Sequence, residues 1–362
     1  MANSLPAIQP GDNATVRFLL THNSQQSHEF CSPGSKSWRR QWRTKHPTQI
    51  GAFKCMDGRL NFGPITDTPA GMIQPFRNIG GHFDLGWPHC GEVVDGWIQY
   101  AIQNRGVDCL VLATYHYSKG ELHRGCRGCG YDWDFALEQA VTLRDQVARI
   151  FDPAYRVVYP LVVGVETDED CLIWHGHDPS QWLDLTNQSA EDEHGLKDQL
   201  QSLYPNMSRR IINDLLPLVV GNIGHVADVR SSHRAIADAT HRESVLALGR
   251  GFDWLHLLNK VLIVGPYSPN LSEPIVTAAS ILWENWQEGR VNQEDGLALM
   301  SSAVFREEGS ARIRAQEKAA VMARIAQQAI RDKLPELSKI LQWVVGVTDL
   351  NTRYFHRLEV NL

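Results

Sequence analysis

Three reactive side chains alternate along one short stretch of the chain, FKCMDGRLNF (53–62). They are the thiol of Cys55, the carboxylate of Asp57 and the guanidinium of Arg59. Because alternate residues of an extended segment point to the same side, the three are predicted to share one face. The apolar run IGAF directly before them predicts a short buried strand with Cys55 at its carboxyl end. A thiol in this position does metal chemistry only if other ligands converge on it.

A second reactive cluster follows another buried strand. The strand is VDCLVLATYHY (107–117), and the loop after it is rich in glycine, which permits sharp reversals toward a metal. In parallel α/β sheets ligands bind at the carboxyl ends of strands, so this loop and Cys55 are predicted to meet at one edge. Zinc prefers thiolate and imidazole ligands, and three protein ligands leave a fourth position for water. The candidates are His116, His123, Cys126 and Cys129.

Strand and helix signals alternate through the first half of the chain. IGAFKCM, VDCLVLATYHY and YRVVYPLVVGVETD have the apolar, β-branched composition of buried strands. GEVVDGWIQYAIQNRG and DWDFALEQAVTLRDQVARIF have helical periodicity. This alternation predicts an α/β fold with a parallel sheet and crossover helices. The predicted regions are an N-terminal arm (1–48), a zinc-binding catalytic domain (49–178), a linker (179–209) and a second domain (210–362).

The second domain repeats short stretches of the first in the same order, which predicts an internal duplication. In this alignment His225 or Val226 stands at the position of Cys55, and Pro266 at that of His116. The second copy is therefore predicted to be degenerate, keeping the fold and losing the ligands. The matched pairs are 161–175 with 343–356, 80–87 with 249–256, 110–118 with 261–268, and 54–59 with 224–230.

Composition argues against several classes of protein. The chain has 362 residues, 43% of them hydrophobic and 21% charged, so it can bury a large core. A net charge of −6 argues against a nucleic-acid partner, and no apolar run reaches the length of a membrane span. The N-terminus lacks the features of a secretory signal, which favours a cytoplasmic location. The odd count of seven cysteines agrees with a reducing compartment.

Two further segments have structural interpretations. In the arm, SKSWRRQWRTKHP (35–47) predicts a short helix packed on the body by Trp38 and Trp42. The acidic string ETDED (166–170) predicts a solvated turn between two strands, because it lacks the loop-spaced ligand pattern of a calcium site.

Together the motifs resemble the β-class carbonic anhydrases. That family's pattern is Cys-x-Asp-x-Arg, an Arg-Asn-x-Gly segment, and a buried strand ending in His with a second Cys after it. The long loop between His116 and Cys126 resembles, more narrowly, the carbonic anhydrases of carboxysome shells. The resemblance covers residues 50–178 well and 210–362 loosely. The matching elements are CMDGR (55–59), RNIGG (77–81), the strand ending at His116, the Cys126 region and VVGVETDED (162–170).

This resemblance implies a β-carbonic-anhydrase-like fold with zinc as cofactor. Cys55, His116 and Cys126 would be the zinc ligands, and Asp57 and Arg59 the catalytic dyad. Zinc-bound hydroxide would attack CO₂ to give bicarbonate, while Asp57 accepts the hydroxide's hydrogen bond and Arg59 keeps Asp57 ionised. Alternatively, Asp57 leaves Arg59 and ligates zinc, which closes the site.

The resemblance also bears on partners and location. It implies one active site per chain, CO₂ and bicarbonate as the small-molecule partners, and a homo-oligomer. Association with a carboxysome, and thus a place inside a bacterial microcompartment, stays open. The shell enzymes carry a larger N-terminal helical region that has no counterpart in this sequence.

Other ligand sets and functions compete with this interpretation. In ordinary β-class enzymes the ligand His and the second Cys are three residues apart, which would select His123 with Cys126 as an alternate pair. Strand-end anchoring favours His116. If Cys129 joined the three ligands, the site would be closed and structural, as in a non-catalytic shell or scaffold protein. A related zinc hydrolase of CS₂ or COS also fits, because both molecules are isosteric with CO₂.

Overall fold

The computed structural model describes residues 7–155, 157–234, 241–255, 257 and 259–360, and these divide into two compact units. Each unit is an α/β structure built on one mixed sheet. The six-stranded unit comprises the described residues of Ser37–Cys55 and Leu60–Thr240. The five-stranded unit comprises those of Met1–Lys36, Met56–Arg59 and His241–Leu362.

Two helices form the N-terminal part of the chain, α1 (Ala14–Cys31) and α2 (Pro33–Lys45). Asn13 caps α1, because its side-chain oxygen accepts a 2.8 Å hydrogen bond from the backbone N–H of Val16. Val16 and Leu19 are fully buried in the core of the five-stranded unit. Helix α1 is therefore part of a core rather than of an arm. Trp38, which was expected to pack the helix on the body, is 43% exposed.

The sheet of the six-stranded unit has the order β2-β1-β3-β4-β5-β6. Its first four strands in this order are parallel, and the last two pair antiparallel. The central strand is buried along almost its whole length, as expected for a parallel sheet. The strands are β1 (Gln49–Cys55), β2 (Ile73–Asn78), β3 (Cys109–Tyr117), β4 (Val158–Glu166), β5 (Cys171–His175) and β6 (Trp182–Asp184).

The predicted helices of this unit are present with shifted bounds. The helix predicted over 91–106 starts earlier, at Pro88, and continues through a π-helical turn (Tyr100–Arg105) to Gly106, whose φ of 62° favours glycine. No helix in the described ranges is both long enough and apolar enough to cross a bilayer. The helices are α3 (Phe62–Ile65), α4 (Pro88–Gln99), α5 (Trp133–Tyr155), α6 (Glu193–Leu203) and α7 (Arg209–Ser231).

The sheet of the five-stranded unit has the order β11-β10-β9-β7-β8, in which only β11 is antiparallel to its neighbour. Read from the other edge, this is the order of β2-β1-β3-β4-β5 in the first sheet. The strands are β7 (Val245–Gly249), β8 (Val261–Val264), β9 (Leu297–Phe305), β10 (Leu341–Asp349) and β11 (Phe355–Arg357), and the helices are α8 (Ser272–Gln287), α9 (Ser310–Lys333) and α10 (Pro335–Ile340).

This common strand order corrects three of the four sequence matches between the halves. Only 161–175 and 343–356 occupy equivalent places, since both contain a parallel strand and the antiparallel strand after it. The matches fail elsewhere because short apolar stretches of α/β strands look alike. Residues 80–87 follow β2, whereas 249–255 begin at the last residue of β7 and His256 is outside the described residues. Residues 110–118 begin on β3, whereas 261–268 begin on β8. Residues 224–230 lie inside α7, whereas 54–59 begin at the end of β1.

The units also divide the chain differently from the predicted linker (179–209) and second domain (210–362). Helix α7 belongs to the six-stranded unit, where Asn222 is completely buried. Its side-chain amide donates to the carbonyls of Ile65 and Asp170, both at 2.9 Å, and its oxygen accepts from the N–H of Leu172 at 2.9 Å. These buried bonds attach the helix to the first sheet.

Residues 56–59 form a separate short piece of the five-stranded unit. Asp57 makes an isolated antiparallel bridge with Leu262 of β8. The N–H of Gly58 donates to the carbonyl of Val261 at 3.0 Å, and Met56 accepts from the N–H of Ile263 at 2.7 Å. The backbone of the Asp57–Arg59 turn is therefore held by strand pairing.

Candidate metal centre

Cys55, His116 and Cys126 lie together in the six-stranded unit. One possible ligand atom from each lies within 4.8 Å of the other two. The sulfur atoms of Cys55 and Cys126 are 3.8 Å apart. All three side chains are withdrawn from solvent, with residue exposures between 2% and 4%. The structure thus brings together the three residues that the sequence resemblance selects.

Two adjacent strand ends and one loop position these side chains. Cys55 is the last residue of β1, and His116 is the second-last residue of β3, which pairs with β1 in parallel. Cys126 lies in the loop after β3 and directly precedes a 3₁₀ turn, Arg127–Cys129. The arrangement follows the rule that ligands bind at the carboxyl ends of parallel strands.

The RNIGG segment brings the cysteine loop close to these strand ends. Gly81 has a φ of 70°, and a Cβ there would lie 3.1 Å from the carbonyl oxygen of Thr114 and 3.5 Å from the nitrogen of Cys55. Gly80 also has a positive φ, and its backbone closely contacts Gly128 in the turn after Cys126. Glycine is required at both positions, because a side chain would push the backbones apart.

The chemistry of the three side chains fits a soft divalent cation such as Zn²⁺. Both ring nitrogens of His116 are buried and have no hydrogen-bond partner in the described structure. A buried imidazole without a partner is costly, and coordination would satisfy one of its nitrogens. The hydrogen bond with Cys126, together with burial, raises the pKa of Cys55 well above its usual value. A bound cation reverses this effect and favours thiolates.

The two alternate ligands lie outside this group. The ring of His123 packs against that of Tyr131, with centroids 5.0 Å apart. The Cys129 thiol donates to the carbonyl of Gly80 at 3.4 Å and lies 3.7 Å from Nε2 of His82. Among the described residues, neither belongs to the group that could hold a metal. The geometry therefore favours three protein ligands over the closed set of four.

Asp57 and Arg59 form a buried ion pair in the five-stranded unit. Both oxygens of Asp57 accept from Arg59: Nε lies 3.1 and 3.0 Å from Oδ1 and Oδ2, and Nη2 lies 2.6 Å from Oδ2. Their side chains are 5% and 2% exposed. In the described structure the Asp57 carboxylate is not part of the group that could hold a metal. The sequence left two alternatives for this carboxylate, a pair with Arg59 or coordination of zinc, and the structure shows the pair with Arg59.

The loop that carries Cys126 is fastened by Asp168, a residue that the sequence interpretation missed. Asp168 accepts hydrogen bonds from the Ser118 hydroxyl and the Gly120 N–H, both at 2.8 Å, and pairs with Arg124 at 3.4 Å. Burial acts to raise the pKa of Asp168, but the bonds from Gly120 and Ser118 outweigh it and lower the pKa. An ionised Asp168 thus joins three points of the loop between His116 and Cys126.

The acidic string 166–170 forms the predicted turn between β4 and β5, but three of its five residues are buried rather than solvated. Glu166, Thr167 and Asp170 are 2%, 1% and 5% exposed. Burial raises the pKa of Glu166 to about 7. Asp170 pairs with Arg234 at 2.6 Å and lies 3.0 Å from Nε2 of His225. A run of acids next to a buried strand could have signalled such a network, but periodicity does not show whether the acids face solvent.

Replacing Asp168 by asparagine is expected to weaken zinc binding by about 10- to 100-fold, the usual effect of removing support behind a metal ligand. The amide loses the charge that pairs with Arg124 and holds the loop. Zinc affinity, measured by competition with a chromophoric chelator, provides the test. Glu121→Gln is the matched control, since Glu121 is 61% exposed and lies 3.8 Å from the same arginine. Equal affinities for both variants would show that the Asp168 network does not support the centre.

The remaining buried cysteines show no sign of reactivity. Burial raises the pKa of Cys90 and of Cys109 to about 12. Burial likewise raises the pKa of Cys171 to about 11, and its sulfur lies 3.3 Å from the hydroxyl of Thr186. Thiols with such pKa values are protonated at neutral pH and behave as small apolar groups.

Comparison with known proteins adds no assignment to this geometry. No protein-family model matches the chain, and no curated protein sequence is significantly similar to it.

Proposed function

We propose that this chain is a zinc-dependent carbonic anhydrase with a β-class architecture, catalysing the reversible hydration of CO₂ to bicarbonate. The observation that carries the proposal is the buried Cys55–His116–Cys126 group at two adjacent strand ends. Two thiolates and one neutral imidazole balance the charge of Zn²⁺ and leave a coordination position for water. The buried Asp57–Arg59 pair follows two residues after the first ligand.

Each residue has a distinct part in this proposal. Zn²⁺ held by the three ligands would lower the pKa of a coordinated water toward about 7, which makes water nucleophilic at neutral pH. Asp57 is the hydrogen-bond acceptor that orients the nucleophile. Arg59 keeps Asp57 ionised and aimed, since two guanidinium nitrogens hold its carboxylate.

The proposal includes an internal duplication, supported by the common strand order of the two sheets. The Val-Val-Gly-Val sequences of β4 and β10 align Gly164 with Gly346. Gly164 lies opposite Tyr115, one residue before His116, and Gly346 lies opposite Ser302, one residue before Ala303. Ala303 is therefore the counterpart of His116.

The same registers support a counterpart for Cys55 in the proposed second copy. Phe53 of β1 lies opposite Ala113, so Cys55 comes level with Tyr115 two residues later. In the second sheet Gly249 lies opposite Ser302, the counterpart of Tyr115. The second copy thus has Gly249 and Ala303 where the first has its ligands. These two residues replace the earlier sequence-based counterparts, which were His225 or Val226 and Pro266.

The test is stopped-flow CO₂ hydration at about pH 8, paired with zinc analysis, on the wild type and Cys55→Ser. We expect about one zinc per chain and rapid hydration in the wild type, with both lost in the variant. Parallel assays with COS and CS₂ separate the related hydrolases. A fully zinc-loaded wild type that hydrates no CO₂ would overturn the proposed activity.

A further inference from the structure

A cavity of about 240 Å³ reaches the metal centre from the surface of the six-stranded unit. His116 and Cys126 both line it. At its outer side are Leu122 and Trp133, which are 64% and 49% exposed. A path therefore runs from an exposed leucine and tryptophan to two of the three candidate ligands.

The walls of this cavity are mainly aromatic and aliphatic. Tyr117 and Tyr131 line it together with Leu122 and Trp133. The rings of Tyr117 and Trp133 contact each other, with centroids 5.4 Å apart. A pocket with such walls binds apolar molecules more readily than charged ones.

The polar groups of the cavity do not favour an anion. The Ser118 hydroxyl is engaged, since it donates to Asp168 at 2.8 Å. The charged lining residue at the mouth is Asp132, an exposed carboxylate that also accepts from the N–H of Phe135 at 3.0 Å. The described lining contains no lysine or arginine. Negative charge and apolar walls both oppose entry of an anion.

We propose that this cavity is the passage by which a small, uncharged, apolar molecule reaches the metal centre, with Leu122 and Trp133 forming its mouth. In naming that molecule as CO₂ the inference rests on the proposed function. The passage itself is a property of the loop between His116 and Cys126 and of the start of α5.

Thiol labelling of the metal-free 362-residue chain tests the passage without any catalytic assay. The probes are methyl methanethiosulfonate, which is neutral, and sulfonatoethyl methanethiosulfonate, which is an anion. In both, a thiolate forms a mixed disulfide with the probe's divalent sulfur and a sulfinate leaves. Because the same thiolate attacks both probes, its pKa cancels from the ratio of rates. Peptide mass spectrometry gives the rate at each cysteine, and circular dichroism checks that the fold is retained.

We expect the ratio of neutral to anionic labelling to be at least about tenfold higher at Cys126 than at Cys31, which lies partly exposed on α1. Cys126 lines the cavity and Cys55 does not, so Cys126 should be modified first. Equal ratios at Cys126 and Cys31, or faster labelling of Cys55, would overturn the passage.

Variants at the mouth give a second test. Leu122→Trp should slow neutral labelling of Cys126 by about tenfold, and Leu122→Ala should accelerate it, because the side chain stands at the entrance. Ile150→Trp is the matched control, since Ile150 is 48% exposed on α5 and does not line the cavity. An unchanged rate in Leu122→Trp would contradict the proposal.

The hydration assay separates the two ideas. If the passage carries CO₂, Leu122→Trp should lower kcat/KM about tenfold at unchanged zinc content. If the neutral probe labels Cys126 selectively but the wild type hydrates no CO₂, the passage is supported and the proposed function is contradicted. If Leu122→Trp hydrates CO₂ as fast as the wild type and its Cys126 is labelled at an unchanged rate, the passage is contradicted and the proposed function still holds.

Discussion

Replacing Cys126 by serine is expected to empty the metal centre, whereas replacing Cys129 by serine should leave zinc in place. The two thiols belong to one C-x-x-C turn, yet only Cys126 belongs to the group with Cys55 and His116. Loss of a thiolate from a three-ligand site should weaken zinc binding by more than about a hundredfold. That is the largest loss of affinity usually caused by replacing a residue that only supports a metal ligand. Cys129 instead contacts Gly80 and His82.

The comparison uses zinc content after gel filtration and zinc affinity by chelator competition. Thermal unfolding of both variants, measured without zinc, checks that the turn itself tolerates serine. Equal loss of zinc in both variants would contradict the three-ligand centre and favour the closed four-ligand set. Retention of zinc by Cys126→Ser would show that the metal is held elsewhere.

Replacing Asp57 by asparagine is expected to lower CO₂ hydration by about 10²- to 10³-fold, the usual effect of removing one positioned hydrogen-bonding group, while zinc remains bound. Asparagine keeps the shape of the side chain but loses the charge that Arg59 holds through two nitrogens. Breaking a buried ion pair also costs about 3–5 kcal/mol of stability, so the midpoint of unfolding should fall as well.

The control separates catalysis from stability. Asp108→Asn also removes a buried carboxylate paired with an arginine, because Asp108 accepts from Arg210 at 2.6 and 2.7 Å. That pair lies at the start of β3, at the opposite end of the strand from His116. We expect Asp108→Asn to lower stability and leave kcat/KM within about threefold of the wild type. An Asp57→Asn protein with wild-type kcat/KM would remove Asp57 from the mechanism.

Local signals in the sequence predicted the places of two of the three grouped side chains, Cys55 and His116. The apolar run before Cys55 and the β-branched run before His116 identify two buried strands and their carboxyl ends. Ligands of parallel sheets gather at that edge, so the convergence follows from topology. The position of Cys126 depends instead on a close approach of two glycine-containing segments, which the spacing of cysteines does not reveal.

Long-range packing accounts for what the sequence did not reveal. Asp168 follows β4 closely, and its role depends on a loop some 50 residues earlier in the chain. Helix α7 looked like the beginning of a second domain, but buried Asn222 attaches it to the first sheet. The counterparts of Cys55 and His116 in the proposed second copy also required strand registers, because Val- and Ile-rich strands match one another in several alignments.

X-ray absorption at the zinc edge of the zinc-loaded 362-residue chain would show directly which atoms bind the metal. We expect two sulfur ligands at about 2.3 Å, one imidazole nitrogen and one further light atom, both at about 2.0 Å. These would correspond to Cys55, Cys126, His116 and an exchangeable water. Three sulfur ligands and one nitrogen, or a set of ligands without imidazole, would rule out the centre formed by Cys55, His116 and Cys126.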